Sequence, residues 1–123
     1  MTAPAAVVFG ISGKTLTSGE RQFLRDANPL GFILFSRNLG DAAAIRRLTG
    51  ELRETVGRTD APVLIDQEGG RVMRLRPPDW PEAPAARTIA DLYEKFPSRG
   101  IGAAETLGRM FGSMLRDLGI DVD

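Results

Sequence analysis

The chain contains neither cysteine nor histidine among its 123 residues. The absence of cysteine excludes disulfides, thiolate zinc sites and cysteine nucleophiles, and it fits a reducing compartment. The absence of histidine excludes metal sites built on imidazole and any histidine general base supplied by this chain. The two absences fit a cytoplasmic protein, and they exclude thiol chemistry and metal sites built on thiolate or imidazole.

The chain also has no excess of charge and no long apolar run. Sixteen basic residues balance sixteen acidic ones, so electrostatics give no case for nucleic acid or an anionic membrane as a partner. The apolar stretch at residues 5–11 is too short to span a bilayer. Hydrophobic residues make up 42% and charged residues 26%, values typical of a soluble globular protein. We expect one domain over residues 1–123.

Apolar runs alternate with amphipathic helical segments along the chain. Strands are predicted at residues 5–11, 31–35 and 61–65, and a fourth is predicted to begin at 120–123. Helices are predicted from the Thr17–Glu20 capping box to Ala27, from Asp41 to Gly57, over 85–96 and over 102–118. This order predicts an α/β fold with a buried parallel sheet, which is either an open doubly wound sheet or a (β/α) barrel.

A charged loop follows the third predicted strand, in the stretch PVLIDQEGGRVMRLR. Ligands of both candidate folds bind at the carboxyl ends of the strands, where this loop lies. Asp66 and Glu68 are two residues apart, so an extended backbone points both carboxylates to one side, as a glycosidase pair requires. Alternatively, Asp66 and an arginine bind sugar hydroxyls, or Glu68 pairs with Arg71 or Arg74 to stabilise a turn.

Several neighbouring residues have a structural and a functional interpretation. Gly69-Gly70 is expected to supply positive φ or close backbone packing, and its spacing matches no phosphate-binding loop. Trp80, in the proline-rich segment 76–84, either stacks on a sugar ring or packs beneath that segment, and packing is the more frequent case. Arg37-Asn38 follows the second strand and is a candidate for the same cleft. Met110 and Met114 are expected to be core residues.

The segments GFILFSRN, APVLIDQEGGRVMRLR and LGRMFGSMLRDLGIDVD occur in an order that resembles the start of glycoside hydrolase family 3 enzymes. More narrowly, they resemble the bacterial cytoplasmic β-N-acetylhexosaminidases of cell-wall recycling. The resemblance covers nearly the whole chain, and DQEGGRV is its most specific block. It implies that residues 1–123 are the N-terminal part of a (β/α)8 TIM-type barrel, with three strands and the start of a fourth.

The resemblance also implies a function. It implies retaining hydrolysis of terminal β-linked N-acetylglucosamine from anhydro-muropeptides, by a monomeric enzyme without a metal or organic cofactor. Asp66 of the DQEGG block, and Arg74 four residues after the second glycine, are implied to bind the sugar. The chemistry requires a histidine loop and an aspartate nucleophile that have no match in these residues. We therefore expect no catalytic residue here and no activity from this chain alone.

Two further hypotheses remain open at this point. The first is a sugar-binding module that keeps Asp66 and Arg74 without chemistry. The second is a structural half that completes a barrel with another polypeptide, because a sheet of three or four parallel strands leaves unpaired edges.

Overall fold

The structure is a computed structural model that describes residues 2–123. Its elements, in chain order, are β1 (Ala5–Phe9), α1 (Ser18–Ala27), β2 (Pro29–Leu34), α2 (Ala42–Val56), β3 (Val63–Ile65), β4 (Gln67–Gly69), β5 (Val72–Met73), α3 (Ala86–Lys95) and α4 (Pro97–Asp117). A 3-10 turn, Ser36–Asn38, follows β2. Within residues 2–123, no helix combines the length and the apolar character needed to cross a bilayer.

The first three strands form one parallel sheet in the order β1-β2-β3. After α4 the chain returns to this sheet, where Val122 forms a parallel bridge with Leu64 on the free side of β3. The amide of Asp121 donates to the Val63 carbonyl at 2.9 Å, and the amide of Ile65 donates to the Val122 carbonyl at 3.0 Å. The predicted α/β class is therefore confirmed, and the predicted fourth strand is represented by this bridge.

The helices α1 and α2 begin and end where the local sequence signals predict. The Thr17 hydroxyl accepts from the Glu20 amide, and the Glu20 carboxylate accepts from the Thr17 amide, which completes the capping box of α1. Asp41 caps α2 by accepting from the Ala44 amide at 2.7 Å, and Gly57 ends that helix with a φ of 65°. These contacts satisfy backbone groups that a helix end leaves without partners.

One face of the sheet is covered by helices and forms the main core. Phe32, Leu34 and Val63 are completely buried in this cluster. α1, α2 and α4 all contribute to the same cluster, with Leu24, Ile45, Leu48, Leu52 and Leu115. The three helices therefore pack against the same side of the three strands.

The opposite face of the sheet is also apolar, and it is only partly covered. Side chains alternate along a strand, so Ile33 and Leu64 point away from the core cluster. Ile33 lies opposite Leu64 in the register, and Leu64 lies opposite Val122. Val122 is 41% exposed and Val8 is 36% exposed, and none of these four side chains belongs to a buried cluster.

A second, smaller cluster joins α4 to the segment that follows β3. It consists of Met73, Ala83 and Phe111, with Met110 and Met114 packed against it. The two methionines, which were interpreted as core residues, are partly buried at the edge of this cluster. The cluster fastens the short β4–β5 hairpin and the proline-rich segment to the C-terminal half of α4.

Several boundaries differ from the sequence prediction, and one hairpin was not predicted. β2 covers Pro29–Leu34 instead of residues 31–35, and β3 begins at Val63 instead of residue 61. β1 ends at Phe9 instead of residue 11, because the following residues turn away from the sheet. α4 begins at Pro97 instead of residue 102, and a proline at the first helical position has the φ that a helix requires. The antiparallel β4–β5 hairpin was not predicted, since its strands of three and two residues are too short to show periodicity.

Candidate functional site

The candidate site lies where β1, β2 and β3 reach their carboxyl ends. Burial alternates without a break from Ala61 to Gly69, so Gln67 shares the buried phase of Val63 and Ile65. Asp66, directly after β3, falls in the opposite phase, which is that of Leu64 on the uncovered face of the sheet. A carboxylate therefore stands at the strand end, on the side that no helix covers.

Asp66 is paired with Arg74. The Arg74 Nη2 donates to the Asp66 Oδ2 at 2.8 Å. The Asp66 side chain is 37% exposed and the Arg74 side chain is 29% exposed, so a ligand from solvent can reach the pair. The Arg74 Nε is buried and has no hydrogen-bond partner among residues 2–123.

The aromatic ring of Phe35, at the end of β2, lies against two guanidinium groups. The Arg74 Cζ is 5.8 Å from the ring centroid, and the Arg37 Cζ is 4.9 Å from it. Arg37 is also held by its Nε, which donates to the Ile11 carbonyl at 2.9 Å. Arg37 and Arg74, from different loops, therefore meet over one ring beside Asp66.

Asn38 has a structural role in the same region. It is 1% exposed, and its Nδ2 donates to the Ile11 carbonyl at 3.1 Å and to the Gly13 carbonyl at 2.7 Å. Its Oδ1 accepts from the Phe35 amide at 2.9 Å. Of the Arg37-Asn38 candidate pair, only Arg37 lies in the exposed part of the site, and Asn38 joins the β1 and β2 ends.

Glu20 fixes the loop between β1 and α1 at this edge of the sheet. Its Oε1 accepts from the Ser12 amide at 2.8 Å, in addition to the contact of its Oε2 with the Thr17 amide. The hydrogen bonds from the backbone amides of Thr17 and then of Ser12 lower the pKa of Glu20 from 4.5 to about 2. The capping carboxylate is therefore also an anchor for the β1–α1 loop.

The structure corrects one interpretation of the charged loop. Glu68 was expected to pair with Arg71 or Arg74 if its role was structural, but Glu68 is exposed and no ion pair to it occurs among the described residues. Arg74 pairs with Asp66 instead, because the hairpin folds Arg74 back toward the end of β3. Asp66 and Glu68 therefore do not act as an equivalent pair of free carboxylates.

Gly69, which ends β4, and Gly70, which begins the hairpin turn, supply positive φ and close backbone packing, as predicted. Their φ values are 92° and 59°, a region that favours glycine. A Cβ on Gly69 would lie 2.1 Å from the Pro84 carbonyl oxygen, so the proline-rich segment approaches the turn directly. Trp80 of that segment packs against the main core, which confirms the packing interpretation of this residue.

Sequence reasoning missed Gln67 and Phe35. Gln67 is completely buried, and its side chain contacts Arg74 and Leu75. A signal for Gln67 was present, because its position continues the buried phase of an apolar strand and yet carries an amide. No such signal was present for Phe35, since an aromatic residue at the end of an apolar strand is normally predicted to be a core residue.

No protein-family model matches the chain. A β-hexosaminidase from Bordetella avium is 34% identical over 121 residues, which cover 97% of this chain and 34% of that protein. The structure of NagZ from Neisseria gonorrhoeae in complex with N-trifluoroacetyl-D-glucosamine matches with a TM-score of 0.86 and 31% identity, over 95% of this chain and 34% of that one.

A glycoside hydrolase family 3 β-N-acetylglucosaminidase from Paenibacillus sp. FPU-7 also matches in structure. Its TM-score is 0.77 at 28% identity, over 92% of this chain and 21% of that one. The chain thus spans about a third of the length of the curated relatives it matches. The similarity to these proteins in both sequence and fold extends over nearly all of the described residues.

Proposed function

Because the chain belongs to the β-N-acetylhexosaminidases of glycoside hydrolase family 3, we propose that Asp66 and Arg74 bind the sugar of a terminal β-linked N-acetylglucosamine. The observation that carries this proposal is the partly exposed Asp66–Arg74 pair, at 2.8 Å, at the carboxyl end of β3. The crystal structure of NagZ with a glucosamine derivative supports a sugar as the ligand.

The chemistry of the pair suits a sugar ring. A carboxylate accepts from two neighbouring hydroxyl groups, and a guanidinium donates to a further one or to an acyl oxygen. The contact between Asp66 and Arg74 uses one carboxylate oxygen, so the other remains available to a hydroxyl. Each hydrogen bond to a charged group is worth about 1.5–3 kcal/mol.

We further propose that residues 1–123 form the N-terminal part of a single (β/α)8 barrel domain. The apolar side chains on the uncovered face of the sheet support this, because parallel sheets are normally buried on both faces. In a barrel that face becomes the interior, and Asp66 then stands at the mouth where barrel enzymes bind their substrates. A complete barrel needs about 200 residues or more.

The proposed reaction of the whole protein is retaining hydrolysis of N-acetylglucosamine from peptidoglycan-derived anhydro-muropeptides. We propose a cytoplasmic, monomeric enzyme without a metal or organic cofactor. In such a reaction one carboxylate attacks the anomeric carbon, and a separate acid protonates the leaving oxygen. In this proposal the chain supplies part of the sugar subsite, and a part of the whole protein outside these 123 residues supplies the nucleophile and the acid.

A titration of the chain with N-acetylglucosamine, followed by amide chemical shifts, tests the subsite. We expect shifts at residues 66–75, and a dissociation constant raised about tenfold or more by Asp66→Ala, since charged hydrogen bonds are lost. Glu68→Ala is the matched control, because Glu68 is exposed and forms no ion pair in the described residues. Equal binding by Asp66→Ala and the unchanged chain would remove Asp66 from the sugar site.

A chromogenic β-N-acetylglucosaminide tests whether this chain binds the sugar without hydrolysing it. We expect no turnover by the 123-residue chain, because it contains no histidine to serve as the acid. Turnover that depends on Asp66 would show instead that the chain carries its own catalytic groups.

The uncovered face also favours a second candidate, a structural half that completes its barrel with another chain. β1 and the 120–123 segment each have an unpaired side, and such edges readily pair with other strands. Sedimentation velocity separates the two candidates. A compact monomer at micromolar concentration contradicts the structural half, and a discrete dimer or tetramer supports it.

A further inference from the structure

The side chain of Gln67 is completely buried, and its amide forms three hydrogen bonds with two residues of the next strand end. Its Oε1 accepts from the Arg74 amide at 3.1 Å and from the Leu75 amide at 3.0 Å. Its Nε2 donates to the Leu75 carbonyl at 3.0 Å. One side chain thus satisfies three backbone groups that the short hairpin leaves without a strand partner.

We propose that Gln67 is a positioning residue that sets the Arg74 guanidinium against Asp66 and so shapes the sugar subsite. The inference rests on the proposed function, and it adds a residue that does not itself touch the sugar. Gln67 acts through the backbone of Arg74, since the bond to its amide fixes where the arginine side chain starts.

The geometry explains why the position of this backbone matters. Arg74 has a long, flexible side chain, and its guanidinium must meet both the Asp66 carboxylate and the Phe35 ring. A displacement of about 1 Å at the base of such a side chain is enough to weaken a binding or catalytic arrangement strongly. The Gln67 side-chain amide restricts this displacement because it binds the backbone of two consecutive residues, Arg74 and Leu75.

Gln67 is itself held in place from two directions. Its backbone continues directly from β3 through Asp66, and its backbone N–H donates to the Asp123 Oδ1 at 2.8 Å. The position of Gln67 is therefore set by the parallel sheet and by the segment that bridges Leu64.

The tip of the hairpin has a separate attachment, so loss of Gln67 need not unfold the turn. The Gly70 amide donates to the Ala83 carbonyl at 2.8 Å, and Met73 is buried in the second cluster with Phe111. Substitution of Gln67 should consequently leave the hairpin folded while its base, at Arg74 and Leu75, loses a fixed position.

The first variant is Gln67→Met, which keeps the length of the side chain and removes all three hydrogen bonds. Its matched control is Thr49→Val on α2. Thr49 is also buried, at 2% exposed, and its hydroxyl donates to the Leu118 carbonyl at 2.9 Å, away from the hairpin. We expect the dissociation constant for N-acetylglucosamine to rise about tenfold or more in Gln67→Met, and to stay within about twofold in Thr49→Val.

A second measurement does not depend on sugar. The Arg74 side chain should give a distinct Nε–H resonance in the unchanged chain, because its Nε is buried and its Nη2 is paired. We expect this resonance to merge with those of exposed arginines in Gln67→Met and to persist in Thr49→Val. If Gln67→Met fails to fold, Gln67→Asn provides the same test, since its shorter amide no longer reaches both Arg74 and Leu75.

The two readouts separate the failure of this inference from the failure of the proposed function. If the unchanged chain does not bind sugar but Gln67→Met still loses the Arg74 resonance, the subsite is wrong and the positioning role stands. If Gln67→Met retains both the Arg74 resonance and the sugar affinity at the level of Thr49→Val, Gln67 is only a buried structural amide and the inference is overturned.

Discussion

The sheet with its covering helices and the junction of α3 with the first half of α4 differ in how they bury apolar surface. In the sheet layer, Phe32 and Leu52 are completely buried. α3 has no buried residue at all, and the large side chains Tyr93, Phe96 and Ile101 around its junction with α4 are 50%, 51% and 60% exposed. The chain thus contains a fully buried core and a helical junction whose large apolar side chains are at least half exposed.

This difference shows where the stability of the chain resides. Burial of apolar side chains is the main favourable contribution to folding, so residues in the sheet layer should contribute most of the free energy of unfolding. Only the C-terminal half of α4, with Phe111 and Leu115, takes part in that burial. An amphipathic helix such as α3 normally gains its stability from packing, which is sparse here.

The substitution with the largest expected effect creates a cavity in the sheet layer. We expect Leu52→Ala to lower the free energy of unfolding by about 2–5 kcal/mol, since Leu52 is completely buried and its removal leaves a void. Urea denaturation followed by circular dichroism measures the change.

The matched substitution in the helical pair is Ile101→Ala. Ile101 is 60% exposed, so we expect a change within about 0.5 kcal/mol of zero. A loss comparable to that of Leu52→Ala would mean that another surface covers Ile101 in solution, and the contrast between the two regions would fail.

Two glycines sharpen the comparison because their substitution should have opposite signs. A Cβ on Gly31 in β2 would lie 2.4 Å from the Pro62 carbonyl oxygen, so Gly31→Ala forces two backbones apart. We expect it to cost about 1–3 kcal/mol, as overpacking does.

Gly108 in α4 has no atom within 4 Å of the position that a Cβ would occupy. Gly108→Ala should therefore raise the free energy of unfolding by about 0.5–1 kcal/mol, because alanine favours a helix. Melting temperatures of the two variants measure both effects, and a shared sign would contradict the packing described for one of the two sites.

The main elements of the fold were predictable because their signals are local. The capping box at Thr17 and Glu20, the Asp41 cap and the Gly57 end each act within a few residues. The continuous apolar strands predicted a parallel sheet for the same reason. The start of α4 was predicted less well, since Pro97 is compatible with both a loop and a first helical turn.

The candidate site was predictable only in part, because its contacts join distant residues. The family resemblance implied roles for Asp66 and Arg74, but their mutual contact depends on a hairpin of two very short strands. The stacking of Arg37 and Arg74 over Phe35 joins loops from two strands, and no periodic pattern along the chain reports it.

A further test compares the helix ends. α1 has the Thr17–Glu20 capping box, whereas no side chain caps the start of α3 at Ala85. Because the pKa of Glu20 is about 2 in the folded chain and 4.5 is its ordinary value, the folded state favours the ionised carboxylate. The resulting stability is fully present above pH 4.5 and is lost as the pH falls toward 2.

We expect Glu20→Gln to cost about 1 kcal/mol at neutral pH, the usual size of a capping effect. The difference between the variant and the unchanged chain should shrink as the pH falls from 4.5 toward 2, and urea midpoints across that range measure it. Glu94→Gln in α3 is the control, because Glu94 is exposed and lies outside the capping position of its helix. If the cost of Glu20→Gln is the same at pH 2.5 and pH 7, its stabilising contact is not the ionised carboxylate on the amides of Ser12 and Thr17, and the β1–α1 loop is anchored by other means.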